Sequence, residues 1–304
     1  MIGLGEKYVD TYRSSAIPTY FCGKLAYDQG IKILISGDGG DELFGGNERY
    51  LTNKIFNKYT SIPSALRAII EIPARQFKTN NKSIKRVQNF IYRANLKNPE
   101  RFFADDSFGS KYPTDLYTKD FLEQVSENIS IHHMHKLFDN AKASTELNKL
   151  LCVDMFDTLA GNDIPKVRTM FKAAGVSPVF PMLHPKMVEF ALGLPESFKL
   201  KGLQKRYLQK KAVQGFIPDA IQTKPKQGFG LPVGRWLREQ PKIKDFFYDH
   251  LFSSKLANRG ILNVNFIKKL ATDHQSGSWD NSYYLWSVLV FELWMTRYID
   301  QKTI

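Results

Sequence analysis

The chain has 304 residues, 43% of them hydrophobic, and a formal net charge of +13, a composition that suits one large core or two modest ones and excludes extensive disorder. It contains no uninterrupted run of about 18 apolar residues, so we expect neither a membrane span nor a membrane partner. Residues 1–10 lack the apolar core of a signal peptide, and Cys22 and Cys152 have neither metal-binding nor redox spacing, so we expect two small buried thiols in a cytoplasmic protein.

The first elements predicted are a helix and a strand. Pro18–Tyr27 is predicted to be helical, because proline is tolerated in the first turn of a helix and Gly30 provides a natural stop. The apolar run Ile31–Ile35, interrupted by Lys32, predicts a short, buried, parallel strand against which the helix packs. Residues 1–50 are therefore interpreted as one βα layer of a doubly wound sheet.

The strand leads into the most informative stretch of the chain, Ser36-Gly-Asp-Gly-Gly-Asp-Glu42. Its glycines let the backbone turn sharply and approach a ligand, and a turn that opens a helix offers backbone N–H groups to an anion. Three carboxylates could hold the magnesium that accompanies a polyphosphate: Asp38, Asp41 and Glu42. The alternative is an ordinary helix start, with Asp38 as N-cap. The pair Gly39-Gly40 favours the ligand site, because each glycine in a helix costs roughly 0.5 to 1 kcal/mol relative to alanine.

From Ser61 onward the spacing of the apolar residues becomes helical. One predicted helix carries apolar residues on a single face: Ala65, Leu66, Ile69 and Ile70. Lys149–Leu159 has a similar pattern, and the polar run Lys78–Lys85 predicts a loop. Most of residues 61–304 should therefore be helical.

Residues 199–238 are strongly basic, with ten Lys or Arg and one acid, for a net charge of +9. Such a surface attracts nucleic acid or an anionic small molecule, and nucleic acid is the weaker interpretation because no recognised nucleic-acid module accompanies the charge. Leu203–Gly215 predicts a helix with Arg206 and Lys210 one turn apart on the same face. The alternative interpretation is a solvated cationic face.

Three segments, in order, resemble the asparagine synthetase family. Ser36–Tyr50 resembles its second signature, Thr223–Leu237 its basic Gly-Phe-Gly-x-Pro segment, and Leu285–Trp294 its closing helix. The resemblance implies an α/β fold, namely a truncated PP-loop ATP pyrophosphatase-like (adenine nucleotide alpha hydrolase-like) domain. Within this partial synthetase domain, residues 1–60 would be a remnant of the nucleotide-binding layer and residues 61–304 the mainly helical part.

The resemblance also implies an ATP-dependent carbon–nitrogen ligase that converts aspartate to asparagine. The carboxylate would be activated as an acyl-adenylate with release of pyrophosphate, and ammonia or glutamine nitrogen would then displace AMP. Position by position, the implied ATP-binding residues are Ser36, Gly37 and Gly39. The implied magnesium ligands are Asp41 and Glu42, although Glu42 could instead only secure the turn. Asp38 occupies the position of a family glutamate suited to deprotonating the nitrogen.

The family's basic helix carries a lysine that reaches the α-phosphate and the adenylate. Arg206 sits where that lysine is expected, Lys205 is one position away, and Lys210 lies one turn later. Arginine can stabilise phosphate charge but cannot exchange a proton near neutral pH. The resemblance therefore implies a catalytic cation in this segment and leaves its identity open among the three residues.

Two departures from the family pattern bear on activity. In Gly175–Pro185 the residues Ser177, Val179 and His184 replace a glutamate, an arginine and an aspartate, which indicates a changed acceptor pocket or relaxed selection. The family's Ser-Gly-Gly-x-Asp-Ser loop and its N-terminal glutaminase domain are not found. Three hypotheses stay open: a C-terminal half that depends on a separate complementing chain, an inactive truncated remnant, and an amidotransferase acting on a sugar acid in surface glycan assembly.

Overall fold

A computed structural model describes residues 14–76, 81–104, 112, 114–125, 128–222, 224 and 230–300. Over these residues the protein is a mostly helical α/β structure with a few short strands. No described helix has the length and apolar character needed to cross a membrane. Within the segment Thr223–Leu237, residues 223 and 225–229 lie outside the described residues, and these include the first two residues of the Gly-Phe-Gly-x-Pro motif.

The first described helix confirms the predicted one and is slightly longer. Helix α1 spans Ala16–Asp28, and Gly30 follows it with a φ of 76°, a conformation that favours glycine. At Gly23 a Cβ atom would lie 2.9 Å from the Cβ of Ala174. Helix α1 can therefore lie directly against the segment around Ala174 only because residue 23 has no side chain.

Strand β1 (Ile33–Ile35) pairs in parallel with β2 (Ser177–Val179), as expected for an α/β layer. The predicted burial of this strand is wrong, since Ile33 is 60% and Ile35 is 78% exposed. Among the described residues β1 is paired only with β2, and little packs over the face that carries these two side chains. An apolar run in the sequence specified the strand, but burial needs a covering layer.

Between the two strands the described residues are mainly helical. The structure contains α2 (Gly40–Phe44), α3 (Glu48–Thr60), α4 (Ser64–Gln76), α5 (Lys82–Asn95), α6 (Glu100–Phe103), α7 (Lys119–Gln124), α8 (Ile129–Asn140), α9 (Glu146–Asp154), a π-helical segment (Met155–Asp163) and α10 (Ile164–Ala173). The loop predicted over Lys78–Lys85 is wrong from Lys82 onward. Helix α5 begins there because the Asn81 side chain caps it, accepting a hydrogen bond from the Ser83 N–H at 2.9 Å.

The described part of the chain that follows β2 is mainly helical, with one small hairpin. It contains a 3₁₀ turn (Pro181–Leu183), α11 (Pro185–Leu192), α12 (Glu196–Lys199), the hairpin β3 (Leu200–Lys201) and β4 (Gln204–Lys205), α13 (Tyr207–Ala212), α14 (Asp219–Gln222), α15 (Val233–Glu239), α16 (Pro241–Leu251), α17 (Ser254–Asn258), α18 (Val264–Gln275), α19 (Ser282–Trp294) and a π turn (Met295–Ile299). The helix predicted over Leu203–Gly215 therefore starts later, because the β-hairpin takes its first residues. Helix α19 confirms the closing helix.

Two large apolar clusters hold these helices together. One lies among the C-terminal helices and includes Leu237, Leu251, Ile267 and Leu285, all fully buried. The other joins α3, α6, α8 and α9 and is formed by Tyr50, Phe102, Met134, Leu147, Leu150, Leu151, Val153 and Leu200. The prediction of two buried thiols is wrong for Cys22, which is exposed, whereas Cys152 is partly buried.

Candidate functional site

The glycine turn lies at the carboxyl end of β1. Its start is held by the Ser36 N–H, which donates to the Val179 carbonyl at 2.9 Å. Gly39 has a φ of 91°, and a Cβ atom there would overlap the Leu183 side chain. Both the left-handed backbone and the close approach therefore require glycine at position 39. The helix that follows, α2, has only five residues, so its dipole adds little to anion binding.

Asp38 lies within this turn and is half-buried. Its carboxylate accepts a hydrogen bond from the Ser36 hydroxyl. This bond ties the side chain to the end of β1, next to the backbone groups expected to contact a nucleotide. Its role as a proton acceptor stays a prediction.

Asp41 forms an ion pair with Arg206, a residue 165 positions further along the chain. The pair connects the glycine turn to the basic segment. Arg206 has a φ of 53°, which makes it the only described residue other than glycine in the left-handed region. Such a conformation costs on the order of 1–3 kcal/mol and is often found at functional sites. A Cβ atom at Gly46 would overlap both side chains of the pair, so the absence of a side chain there is what lets the pair form.

The other two predicted cations lie differently. Lys205 pairs with Glu48 at the start of α3, whereas Lys210 is exposed on α13. Arg206 precedes α13 instead of lying within it, so the predicted arrangement of Arg206 and Lys210 along one helix face is wrong. Of the three cations, Arg206 is the one that the structure brings against a predicted site carboxylate.

The two predicted magnesium ligands, Asp41 and Glu42, are not equally suited to binding the ion. Glu42 is buried and burial raises its pKa, so a structural role suits it better than binding a metal ion. Asp41 would have to exchange Arg206 for the ion. Across the described parts of the chain, no group of three or more His, Cys, Asp or Glu side chains could hold a metal. Because magnesium is commonly held by one or two carboxylates together with phosphate oxygens and water, Asp41 alone is compatible with such a site.

Two buried amides near the turn were not found by sequence reasoning. The Gln209 Oε1 and Asn162 Nδ2 atoms are buried without a hydrogen-bond partner. The Gln209 Nε2 atom lies 3.7 Å from where a Cβ of Gly40 would be. Asn162 belongs to the π-helical segment, whose Leu159 packs against Gly39. Unsatisfied buried amides are costly and suit ligand contacts, and π segments often mark functional sites. An isolated amide has no sequence pattern that could have revealed it.

The segment that departs from the family pattern is next to the turn. Ser177 and Val179 belong to β2 and are exposed, on the same face as Ile33 and Ile35. His184 caps α11, where its Nδ1 atom accepts from the Lys186 N–H at 3.3 Å. The three replaced charges thus concern a surface that adjoins the candidate site.

Lys199 is a buried lysine on α12, beneath the end of α2. It is 1% exposed, and its ammonium donates to the Asn148 Oδ1 atom at 2.8 Å. Burial lowers the pKa of Lys199 from 10.5 to about 8. Between these pH values the unfolded chain binds more protons than the folded one, so the folded protein gains stability as pH rises.

We expect this effect to distinguish the wild type from Lys199→Met. Relative to the variant, the wild type should gain up to about 3 kcal/mol of unfolding free energy from pH 8 to pH 10.5, since one pKa unit corresponds to about 1.4 kcal/mol. Below pH 8 the full cost of burying the charge is present in the wild type. Urea unfolding of both proteins across this range measures the difference, and parallel pH profiles would contradict the pKa assignment.

Comparisons with known proteins point to one family. A family model described as asparagine synthase matches residues 2–296. The chain is 25% identical over 289 residues to asparagine synthetase (glutamine-hydrolysing) 1 of Bacillus subtilis, covering 95% of this chain and 44% of that protein. It is 22% identical over 289 residues to a Mycobacterium tuberculosis protein provisionally named asparagine synthetase (glutamine-hydrolysing), covering 95% and 42%. The chain thus spans less than half the length of these curated relatives. No solved structure matches it significantly.

Proposed function

The chain belongs to the asparagine synthase family, and from this premise we propose that it forms the phosphate-facing part of an ATP-dependent carbon–nitrogen ligase. The observation that carries the proposal is the ion pair between Asp41 and Arg206, which joins the glycine turn to the basic segment. A guanidinium beside the glycine turn suits a polyphosphate, because its planar fork matches phosphate oxygens. The two predicted halves of the site therefore meet in one place.

In the proposed site the residues have different roles. Backbone groups of Ser36, Gly37 and Gly39 contact ATP, which supplies the adenylyl group that activates the acceptor carboxylate. Arg206, with Lys205 and Lys210 nearby in sequence, stabilises negative charge on the phosphates. Asp38 accepts a proton from the incoming nitrogen.

We assign magnesium binding to Asp41. The ion would neutralise phosphate charge, and Asp41 is the predicted ligand that is not deeply buried. Glu42 is left out of the proposal because its burial favours the protonated carboxyl. Its place beneath the turn supports the other role inferred for it, securing the backbone.

The acceptor is a carboxylate, for which aspartate is the first expectation and ammonia or glutamine the nitrogen source. A sugar acid is the second candidate. It is favoured by the loss of charge at Ser177 and Val179, since β2 runs directly beside the end of β1. A pocket that lacks those charges would suit an acceptor that carries fewer charged groups than aspartate.

We further propose that another polypeptide segment covers the open face of β1 and β2. Three aliphatic side chains are exposed there: Ile33 by 60%, Ile35 by 78% and Val179 by 41%. Parallel sheets are normally covered on both faces, and the curated relatives contain more chain than is matched here. A segment in trans would complete the layer, and turnover would depend on it.

Isothermal titration with ATP and magnesium tests the nucleotide site. The wild type should bind saturably, and Asp41→Ala and Arg206→Gln should each weaken binding by about tenfold to a hundredfold, because a charge-assisted hydrogen bond contributes about 1.5–3 kcal/mol. Asp28→Ala is the matched control, since Asp28 pairs with Lys24 on the surface of α1. Failure of the folded wild type to bind ATP would contradict the proposal and favour an inactive fragment.

A further inference from the structure

Helix α4 turns its polar side chains inward. Arg67 and Glu71 form an ion pair at 3.0 Å, and the Tyr59 hydroxyl and the Asn95 amide donate to the same Glu71 oxygen at 2.9 and 3.1 Å. Glu71 is only 9% exposed. The polar face of α4 therefore packs against α3 and α5, which is the reverse of an ordinary amphipathic surface helix.

The aliphatic face of α4 is consequently exposed. Its large side chains, with their exposed fractions, are Leu66 at 58%, Ile69 at 70%, Ile70 at 58% and Ile72 at 56%, and Ile62 just before the helix is 42% exposed. Ile62, Leu66 and Ile69 follow helical spacing and lie along one side. This is the face that the sequence pattern identified, and it has no cover among the described residues. A continuous exposed aliphatic surface marks a binding surface.

The charge around this face identifies the kind of partner. Residues 62–97 contain eight Lys or Arg and one acid, Glu71. Because Glu71 is buried in its ion pair, the described part of residues 62–97 presents no carboxylate at its surface. Lys85, Arg86 and Lys97 are exposed. Like charge disfavours a second copy of the chain, and the phosphate backbone of a nucleic acid offers little apolar surface to a row of exposed aliphatic side chains.

We propose that α4 lies flat on an anionic lipid surface, with its aliphatic side chains at the acyl boundary and the cations of α5 facing the headgroup phosphates. Helices with an apolar face and nearby Lys or Arg bind membranes in this way. The 13 residues of α4 extend roughly 20 Å, so the helix lies on the bilayer and does not cross it. The proposal differs from the expectation from sequence that the chain has no membrane partner. The proposal is independent of ligase activity.

Cosedimentation with lipid vesicles tests the proposal. The wild type should bind phosphatidylglycerol vesicles, bind phosphatidylcholine vesicles much less, and dissociate as salt is raised. Leu66→Ser combined with Ile69→Ser should reduce partitioning by about tenfold or more, because the two exposed side chains supply much of the apolar contact. Leu25→Ser is the matched control, since Leu25 is equally exposed, at 66%, on α1.

A charge-reversed variant, Lys85→Glu with Arg86→Glu, should weaken binding to phosphatidylglycerol and leave the residual binding to phosphatidylcholine unchanged. Thermal unfolding of each variant shows that the fold is kept. Absence of vesicle binding by the wild type, or equal binding by the Leu66→Ser, Ile69→Ser variant, would overturn the proposal. A wild-type dimer that the same variant dissociates, without vesicle binding, would instead identify the face as an interface between two chains.

Discussion

Replacing Asp154 with alanine is expected to lower the free energy of unfolding by about 3–5 kcal/mol, the usual cost of leaving one partner of a buried ion pair alone. The side chain of Asp154 is 2% exposed and that of Arg49 is 11% exposed. The Asp154 carboxylate accepts from Arg49 Nε at 3.0 Å, from the Tyr50 hydroxyl and from the Thr158 hydroxyl at 3.1 Å. Alanine would remove the carboxylate that pairs with the buried Arg49 guanidinium and that accepts from the Tyr50 hydroxyl.

Urea unfolding measures this loss, with Asp157→Ala as the control. Asp157 lies three positions away in the π-helical segment, its side chain is 48% exposed, and it pairs with the exposed His133 at 3.5 Å. Its removal should change stability by no more than about 0.5 kcal/mol. A loss below about 1 kcal/mol for Asp154→Ala would show that the network is not needed to join α3 to α9.

Replacing Gly46 with alanine is expected to weaken ATP binding by about tenfold or more while lowering stability by less than about 2 kcal/mol. The added Cβ atom would overlap the Asp41 carboxylate and the Arg206 Nε atom. Both are ends of flexible side chains, so they can move apart at little cost to the core. Leu43 and Phe44, which anchor α2, are not touched by this change. The substitution therefore separates the ion pair without removing either charge.

Titration with ATP and magnesium, together with urea unfolding, separates the two effects. Gly193→Ala is the matched control, because residue 193 has a φ of −72° and its nearest neighbour to an added Cβ lies at 3.6 Å. The control should bind ATP like the wild type. Unchanged ATP binding in Gly46→Ala would contradict the importance of the pair even if the wild type binds ATP, whereas a large loss of stability would show that the turn itself had been disrupted.

Local features were predictable from the sequence. Helix α1, the strand at Ile33–Ile35 and helix α19 lie close to the predicted positions, because spacing of apolar residues and stop signals act within a few residues. The glycine turn was also predictable, since Gly39 adopts a backbone conformation that other residues rarely tolerate. The chain's family followed from the same stretch of residues.

Local pattern misled where the outcome depends on a neighbour. The apolar run at β1 indicated the strand correctly but not its exposure, because an apolar side chain is buried only if another element covers it. The predicted helix containing Arg206 was displaced by the hairpin of β3 and β4. The buried amides of Gln209 and Asn162 are defined by what surrounds them, and no sequence spacing encodes that.

By itself the sequence determined the secondary structure around the turn, the excess of positive charge and the family, because each depends on residue types at short spacing. Only the tertiary structure decided that Arg206 meets Asp41, that Glu42 is buried, and that the polar face of α4 points inward. Those contacts join residues distant in the chain or on separate helices. Their geometry follows from packing of whole elements, which local propensity does not specify.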